Sequence, residues 1–578
     1  MDRNYSKLFI LIPVLFSLMM FSCGSTSVPV ETTAPFVSVV PSPPEDLEHF
    51  EDIEVHVVHT SDVSGNIFPY DFVNNIEKEY SLLNVSAYVK NLRELYDHVI
   101  LLDNGNSLEG DPFVDYFTYI DRTQNHIATV VNNYMGYDAV NIGSSDLFNA
   151  QNLYPGLSDQ ARYPYLSANI VDAVTLEPVL SPYTVIKAGG LSVAVLGLSS
   201  PSAVSVLPEN VIYIDEVEAA GRWVEHIREN EQVNAIIALI NSEIPTAQAD
   251  RFDAVFSGTS TGEAESDVSI ITALPSAESV SHTLLTFSYN TELQTYRISS
   301  VESKSIETSQ IDYDEQLMGD LSVQTDAVMD WIFEKKGEIE ESLYCRDGLY
   351  GPSAFVDMLH LLQLLQTGAD ISMRAPLSSD AVVQEGEVYV QDVLSLFSYT
   401  SHLCVVELTG EQIYRMMEYS YGNWFGKMAS LQDDLLAIEF DENSGKYELS
   451  QPHAQLFSFS GVNYTVDITK EGGDRITIRD LSDGSPFKMD ETYTVVMDSK
   501  IILEMNGILR ETGLDRSQIE QKIISVTALP FQYYLLDMLS QQNIVEPFSV
   551  GNWSIIPDVW FQRGLKNTYP KLFPGSSK

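Results

Sequence analysis

The pattern that most constrains this chain is a series of short apolar runs separated by helical stretches. The runs cover residues 55–59, 98–102, 139–142, 191–198, 235–240 and 254–256. Such an alternation predicts the strands and helices of a layered α/β domain. Polar residues follow several of the runs, and open α/β sheets build ligand sites from loops at the carboxyl ends of their strands. The sequence therefore predicts an α/β domain with a candidate site at that edge.

Length and charge narrow the class of protein. A chain of 578 residues exceeds what one hydrophobic core supports, so we expect two folded domains. The chain carries 32 Lys and Arg against 82 Asp and Glu, which gives a formal net charge of -50. Because nucleic-acid affinity comes largely from cationic side chains, we expect no nucleic-acid partner. The acidic excess instead predicts a solvated, self-repelling surface.

The first 22 residues have the pattern of an export signal. Arg3 and Lys7 precede an apolar run over residues 8–21, which has the length of a signal-peptide core and is short for a membrane span. The run ends in Met-Phe-Ser-Cys at residues 20–23, which resembles a bacterial lipobox. We expect Cys23 to carry the lipid that anchors the exported chain in the bacterial cell envelope, at the outer membrane or cell surface. The alternative is an ordinary signal peptide cut nearby.

The segment behind the lipidation site differs in composition from the rest of the chain. Residues 23–52 are rich in Ser, Thr, Val and Pro, which predicts an extended tether. Beyond it the chain has two cysteines, Cys345 and Cys404. They could form one disulfide or remain buried as free thiols, and the sequence leaves both alternatives open.

Five segments of the first half resemble the metal-binding motifs of a known family. Residues 59–66, His-Thr-Ser-Asp-Val-Ser-Gly-Asn, are similar to the first motif of the calcineurin-like metallophosphatase domain of 5'-nucleotidases. Asp62 matches a ligand of that motif, while Ser64 stands where the family has its first His. Residues 101–106 resemble the second motif, and Asn106 takes the place of the Asp that bridges both metals.

The other three motifs occur in order at residues 143–146, at residue 241 and at residues 258–261. In the family they carry an Asn ligand, the catalytic His, a His ligand and two further histidines. The corresponding residues here are Ser144, Ser145, Asn241, Thr259 and Thr261. Among the ligands, only Asp62 is unchanged.

These replacements decide which metals we expect the site to hold. A two-metal phosphoesterase binds ions about 3.5–4 Å apart and uses them to clamp phosphate and activate water. Hydroxyl and amide groups replace imidazole poorly as ligands for zinc or manganese. We therefore expect no cofactor and assign no catalytic residue, because Ser145 stands at the family's catalytic His position. The alternative is a hard cation, Ca²⁺ or Mg²⁺, held by oxygen donors. The candidate donors are Asp62, Asn106, Asp146, Asn241 and Glu243.

The second half resembles the 5'-nucleotidase C-terminal domain. The matching segments are 367–372, 375–378, 388–396, 405–413, 418–425, 459–467 and 493–496. The Ala-Pro-Leu-Ser turn at 375–378 is similar to the branch that includes 2',3'-cyclic-nucleotide phosphodiesterase-like bacterial proteins. Because this domain supplies substrate recognition in the family, Tyr399, Phe457 and Phe459 are candidates for stacking on a base, although each could equally be core. Residues 503–505, Leu-Glu-Met, replace glycines that would allow close ligand approach.

The resemblance also implies the architecture. It implies an N-terminal four-layer α/β/β/α metallophosphatase-like sandwich over 53–311 and an α+β 5'-nucleotidase-type domain over 344–560. Apolar positions at helical spacing predict a linker helix over 312–343, which includes Ile339. A helix with Phe355, Met358 and Leu365 on its apolar face should begin the second domain. Residues 561–578 are expected to be a C-terminal tail.

Three functions follow as hypotheses, because function resides in sites rather than in folds. The first is a catalytically dead or weak relative of the 5'-nucleotidases that binds a nucleotide or a protein partner. The second is an active, metal-dependent nucleotide phosphohydrolase with an unusual oxygen-rich site at Asp62. The third is a structural or adhesive surface lipoprotein.

Overall fold

The computed structural model describes most of the chain beyond the predicted tether. The described residues are 50–146, 156–199, 210–241, 249–258, 269–378, 381–397, 399–442, 444–503, 507–542 and 544–574. Cys23 and the predicted export signal lie outside these ranges, as do Glu243, Thr259 and Thr261. Residues Glu51–Lys578 form one compact unit. Within the described ranges, no helix combines the length and apolar character of a membrane span.

A six-stranded mixed sheet forms the centre of the first half. In sheet order, its strands are Thr295–Glu307, Ser279–Asn290, Ile53–Thr60, Val99–Asp103, Ala139–Asn141 and Tyr165–Leu166. The last four run parallel to one another. Ser279–Asn290 pairs antiparallel with Ile53–Thr60, and Thr295–Glu307 pairs antiparallel with Ser279–Asn290. Parallel neighbours bring their carboxyl ends to one edge of the sheet, which is where the polar motif residues follow.

A second, five-stranded sheet packs on one face of the first. In sheet order, its strands are Ile270–Thr272, Ala254–Ser257, Ala235–Ile240, Leu191–Leu198 and Tyr183–Ala188. Val55, Val57 and Leu102 from the first sheet share a buried cluster with Val195 and Leu239 from the second. Successive side chains of a strand point to opposite faces of the sheet, and both faces are buried here. The runs are therefore continuously apolar.

Helices cover the two outer faces and complete the four layers. Leu82–Leu95 and Ile127–Met135 share a buried cluster with the outer face of the first sheet, and Glu216–Asn230 does so with that of the second. The α/β/β/α sandwich implied by the resemblance is therefore confirmed. The shorter elements of this half are Tyr70–Asp71, Ile76–Glu77, Pro112–Asp115, the π-helix Tyr116–Ile120, Ile170–Asp172, Val211–Tyr213, Pro275–Ala277 and Thr308–Gln310.

A third mixed sheet, with helices on both faces, organises the second half. In sheet order, its strands are Ser458–Ser460, Ile371–Arg374, Thr492–Asp498, His402–Thr409 and Ile523–Pro530. Ala354–Thr367 and Phe531–Gln542 share a core with one face, and Gly410–Trp424 shares a core with the other. Two smaller, three-stranded sheets complete this half. The first consists of Gly386–Tyr389, Lys335–Ile339 and Ile544–Val545, in sheet order. The second consists of Ile476–Leu481, Val462–Asp467 and Trp553–Ile556.

The remaining elements of the second half are short. They are Leu343–Tyr344, Cys345–Tyr350, Val382–Val383, Val390–Leu394, Ile438–Asp441, Lys446–Leu449, His453–Gln455, Ser499–Leu503, Gly507–Arg510 and Arg516–Glu520.

Three expectations from the sequence differ from the structure. The predicted linker helix is two helices, Glu315–Asp320 and Ser322–Ile332, and Ile339 lies in the strand Lys335–Ile339 because that segment pairs with Gly386–Tyr389. Leu365, expected in a core, is 68% exposed. Residues 561–572 of the expected tail instead belong to the helix Asp558–Leu572, which buries Gly564, Thr568 and Tyr569.

The structure decides whether the two described cysteines form a disulfide or remain free. Cys345 and Cys404 are both buried free thiols. Burial raises the pKa of the Cys345 thiol to about 11 and that of Cys404 to about 12. Neither is therefore a thiolate at neutral pH.

Candidate functional site

Four of the predicted site residues meet where strands of both sheets end. Asp62, Asn106 and Asp146 follow the parallel strands Ile53–Thr60, Val99–Asp103 and Ala139–Asn141 of the first sheet. Asn241 directly follows Ala235–Ile240 of the second sheet. The two edges are joined because the Asn104 side-chain amide donates to the Ile240 carbonyl oxygen at 2.6 Å.

Asn106 is at the centre of the polar network. Its carbonyl Oδ1 accepts hydrogen bonds from the backbone N–H and the hydroxyl of Ser145, both at 2.8 Å. Because a backbone N–H can only donate, Oδ1 must face Ser145 and the NH₂ group must face the other way. That NH₂ group donates to Asp62 Oδ1 at 2.6 Å and lies 3.4 Å from Asn241 Oδ1.

Asn241 links the same loops a second time. Its Oδ1 accepts from the Ser144 backbone N–H at 3.1 Å, and its NH₂ group donates to the Asn104 carbonyl oxygen at 3.2 Å. Both polar atoms of this amide thus have protein partners, which places its side chain in the network as a crosslink between loops.

Asp146 is held entirely by the backbone. Its carboxylate accepts four N–H bonds, from Asn106, Ser107, Leu108 and Gly143, at 2.7 to 3.0 Å. The side chain is 1% exposed. A carboxylate in this position organises the two loops around it, as a capping residue does for a helix end.

The loops at this edge have unusual backbone conformations. Asp62, Ser64 and Asn106 have φ values of 49°, 49° and 58°. Residues other than glycine seldom adopt this left-handed region, and such strain is concentrated at functional sites. A Cβ on Gly105 would lie 2.3 Å from the Gly143 backbone nitrogen, so the absent side chain lets the two loops touch.

Burial dominates the electrostatics of the acids here. It raises the pKa of Asp146 to about 6 and that of Asp103 to about 7, and it raises the pKa of Asp62 as well. Hydrogen bonds from Asn106 and Ser61 partly oppose the rise at Asp62. The site thus stabilises the protonated form of its carboxyl groups.

Sequence reasoning missed Asp103 and Asn104. Asp103 is 2% exposed and accepts from the Thr60 hydroxyl at 2.6 Å and the Gly105 backbone N–H at 2.9 Å. Asn104, which is fully buried, joins the two sheet edges. An Asp-Asn pair directly after an apolar strand was the available signal, because such residues can remain buried only when they are hydrogen-bonded.

The predicted base-stacking residues do not share one environment. Phe457 and Tyr399 line a pocket in the second half together with Arg374, His453 and Asp498. Phe457 and Phe459 are 2% and 1% exposed and belong to one buried cluster, and Phe459 is not among the residues that line the pocket.

A buried ion pair lies at the base of this pocket. Arg374 Nη1 contacts Asp498 Oδ1 at 2.8 Å, and the side chains are 4% and 9% exposed. The guanidinium carbon also lies 4.6 Å from the centre of the Phe531 ring. Lys500 Nζ lies 3.8 Å from the centre of the ring of Tyr399, which lines the pocket.

Comparisons with known proteins agree with both halves of this architecture. The family model "5'-nucleotidase, C-terminal domain" matches residues 334–508. The trifunctional nucleotide phosphoesterase protein YfkN of Bacillus subtilis is 22% identical over 629 residues, covering 90% of this chain and 40% of that protein. Residues 334–508 thus match a 5'-nucleotidase C-terminal domain, and the chain as a whole is similar to nucleotide phosphoesterases.

A further curated protein and a solved structure are similar to this chain. A 2',3'-cyclic-nucleotide 2'-phosphodiesterase/3'-nucleotidase of Yersinia enterocolitica is 24% identical over 207 residues, covering 33% of this chain and 31% of that protein. The matched region therefore spans well under half of both curated relatives. The structure of the NAD nucleotidase of Haemophilus influenzae has a TM-score of 0.56 at 14% identity and covers 88% of this chain and 99% of that one. That likeness shows a shared fold.

Proposed function

We propose that this relative of the 5'-nucleotidases is an exported, lipid-anchored protein that lacks two-metal phosphoesterase activity and binds a ligand or partner instead. One observation carries the proposal. The NH₂ group of Asn106 faces Asp62 at the position that a bridging carboxylate takes in the family.

The residues present do not fit a two-ion centre. The Asn106 nitrogen is a hydrogen-bond donor and offers no lone pair to a cation, while its oxygen is used by Ser145. The Asp146 carboxylate accepts hydrogen bonds from four backbone N–H groups, which occupy its lone pairs. Among the described residues, no group of three or more His, Cys, Asp or Glu side chains is arranged to hold a metal ion.

Charge supports the same conclusion. Two divalent cations close together need several anionic or imidazole ligands to offset their repulsion. Among the motif carboxylates that the structure describes, Asp62 accepts from the side chains of Ser61 and Asn106, whereas Asp146 accepts from four backbone N–H groups. Because burial raises the pKa of Asp62, its carboxylate offsets little of the charge of two divalent cations.

The pocket beside Arg374 is the place where we propose that a ligand binds. It combines a guanidinium, an imidazole at His453 and the rings of Tyr399 and Phe457. Aromatic faces and a cation suit a flat, polar ring compound such as a nucleobase or nucleoside. The names of the relatives, which describe nucleotide phosphoesterases, make nucleotides the first ligands to try.

The decisive experiment measures phosphate release by the purified mature protein. The substrates are 5'-monophosphates, 2',3'-cyclic monophosphates and a UDP-sugar, each with Mn²⁺, Zn²⁺, Mg²⁺ or Ca²⁺. We expect no turnover above that of Asp62→Ala, with the exposed-site variant Asp159→Ala as matched control. Turnover that is lost in Asp62→Ala and kept in Asp159→Ala would overturn the proposal and favour a hard cation held by oxygen donors.

Ligand binding and anchoring are tested separately. Calorimetry with the same nucleotides should show binding that Arg374→Met weakens, whereas an adhesive or structural role predicts no nucleotide binding at all. For the anchor, metabolic labelling with an alkyne fatty acid should mark the wild-type chain and leave Cys23→Ser unlabelled. Labelling of Cys23→Ser would contradict the lipid attachment proposed at that residue.

A further inference from the structure

A buried polar contact joins the two halves of the molecule. On one side lie the helix Pro112–Asp115 and the π-helix Tyr116–Ile120 that follows it. On the other side lie Ser322–Ile332 and Phe531–Gln542. Tyr119 and Tyr533 pack with ring centres 5.0 Å apart, and Tyr533 stacks on Trp331 at 6.4 Å. Short π-helical turns within helices often mark functional sites.

Asp115 and Tyr533 form the central hydrogen bond of this contact. The Tyr533 hydroxyl donates to Asp115 Oδ2 at 3.0 Å across 418 residues of sequence. The other carboxyl oxygen, Oδ1, accepts from the Gly110 backbone N–H at 2.8 Å. Asp115 is 3% exposed and Tyr533 is 5% exposed, so the bond is shielded from water.

A second acid reaches the same interface. Glu109 Oε2 accepts from the Tyr119 hydroxyl at 2.5 Å and lies 3.7 Å from His402 Nε2. The other ring nitrogen of His402, Nδ1, lies 2.8 Å from the Thr527 carbonyl oxygen and donates to it. His402 therefore forms an ion pair with Glu109 only when its ring is protonated.

Like charges crowd the buried carboxyl of Asp115. Glu109 and Asp111 are its anionic neighbours, and Lys78 is paired with Asp111 at 3.2 Å. Burial, followed by the charge of Glu109, raises the pKa of Asp115 to about 8. The titratable groups that act on this acid are Glu109, Asp111 and Tyr533. Lys78 pairs with Asp111, and Tyr119 and His402 contact Glu109.

We propose that the contact between Asp115 and Tyr533 is a proton-dependent latch between the two halves of the protein. With a proton on Asp115, the carboxyl group and the phenol share a neutral hydrogen bond across the interface. Without it, a buried anion lies beside Glu109 and Asp111, and no cation among the described residues forms an ion pair with it. Separation of the two surfaces would hydrate this anion, so deprotonation favours the open form.

The direction of the pH effect follows from linkage. The closed form holds the proton more tightly than an open form in which Asp115 is hydrated and has an ordinary pKa. The latch is therefore complete at low pH and weakens as the pH rises toward about 8, the pKa of the closed form. The latch is independent of the proposed loss of catalysis, because Asp115 and Tyr533 lie outside the polar network of the loop edge.

Hydrogen exchange of the mature protein tests the latch. Amide exchange in residues 112–120 and 531–542, corrected for intrinsic rates, is followed between about pH 5.5 and about pH 8.5. We expect protection of both segments to fall by about tenfold or more as the pH rises. The helix Glu216–Asn230, which packs on the second sheet, is the internal reference and should keep its protection.

Two variants distinguish the latch from a merely structural contact. Asp115→Asn stays neutral at every pH and can still bond to Tyr533 and Gly110, so it should remove the pH dependence in both segments. Tyr533→Phe keeps the ring and loses the hydroxyl, so it should lower protection already near pH 6. Unchanged protection in the wild type over this range, or the same fall in Asp115→Asn, would overturn the proposal. Unchanged protection in Tyr533→Phe near pH 6 would do so too.

Discussion

The Asn106 side chain donates a hydrogen bond to Asp62 at 2.6 Å, and this bond joins the ends of two neighbouring parallel strands. The direction of the bond is fixed by Ser145, whose backbone N–H occupies the other face of the amide. An amide in this position supplies the hydrogen bond that a buried carboxylate needs, without a bound cation. The polar edge of the sandwich is thus stabilised by the chain itself.

Asn106→Asp should destabilise the protein and create a weak response to divalent cations. It places a carboxylate where the amide donor now contacts Asp62, and we expect a loss of about 1–3 kcal/mol in the free energy of unfolding. Thermal unfolding with and without Mg²⁺ or Mn²⁺ measures both effects. Recovery on adding the ion should be absent in the wild type and in Asn132→Asp, a second buried Asn of the same half. Equal recovery in Asn132→Asp would contradict this expectation.

Asp146→Asn should be among the most destabilising single changes in the first half. The amide can accept at one position only, which leaves backbone N–H groups of Ser107, Leu108 or Gly143 buried without an acceptor. We expect a loss of about 2–4 kcal/mol, measured by urea unfolding. The exposed Asp159→Asn should change stability by less than about 0.5 kcal/mol. A similar small change in Asp146→Asn would show that its four bonds contribute little.

Stability should fall in mild acid because of buried histidines. Burial lowers the pKa of His126 to about 4, so the folded form keeps it neutral while the unfolded chain takes up a proton below pH 6.5. Its contribution is present above the unfolded pKa and is lost as the pH falls toward about 4.

The variant His126→Asn measures this contribution. Asn also caps the helix Ile127–Met135, where His126 now accepts from the Ala128 backbone N–H. Between about pH 7 and about pH 5, we expect the variant to lose about 2 kcal/mol less stability than the wild type in urea unfolding. His226→Asn, at an exposed position of Glu216–Asn230, should retain the full slope. Identical slopes in all three proteins would rule out a contribution from His126.

The buried pair at the pocket base predicts non-additive mutations. Asp498→Leu alone leaves the Arg374 guanidinium buried without its partner, and we expect a loss of about 3–5 kcal/mol. The double variant Arg374→Met and Asp498→Leu should recover most of that loss, because an apolar pair of similar volume avoids the desolvation cost. A double-mutant cycle in urea measures the coupling, and additive effects would mean that the two charges do not interact.

Some elements follow directly from the sequence because their pattern is local. The runs at 191–198 and 235–240 match observed strands residue for residue, since continuous burial on both faces demands continuous apolar residues. Lys335–Ile339 was missed because its polar residues resemble a helix surface, and only pairing with Gly386–Tyr389 makes it a strand. The domain boundaries drawn from the sequence remain predictions.

The sequence by itself determined the main apolar strands of the first half, the resemblance to 5'-nucleotidases and the identity of the residues at the loop edge. Tertiary structure decided which polar groups meet. Asn106 faces Asp62 and Ser145, and Asp115 meets Tyr533 418 residues away. The physical reason is that apolar periodicity reports each residue's own surroundings, whereas a hydrogen bond depends on the positions of two distant loops. Those positions are set by the packing of the sheets that carry them.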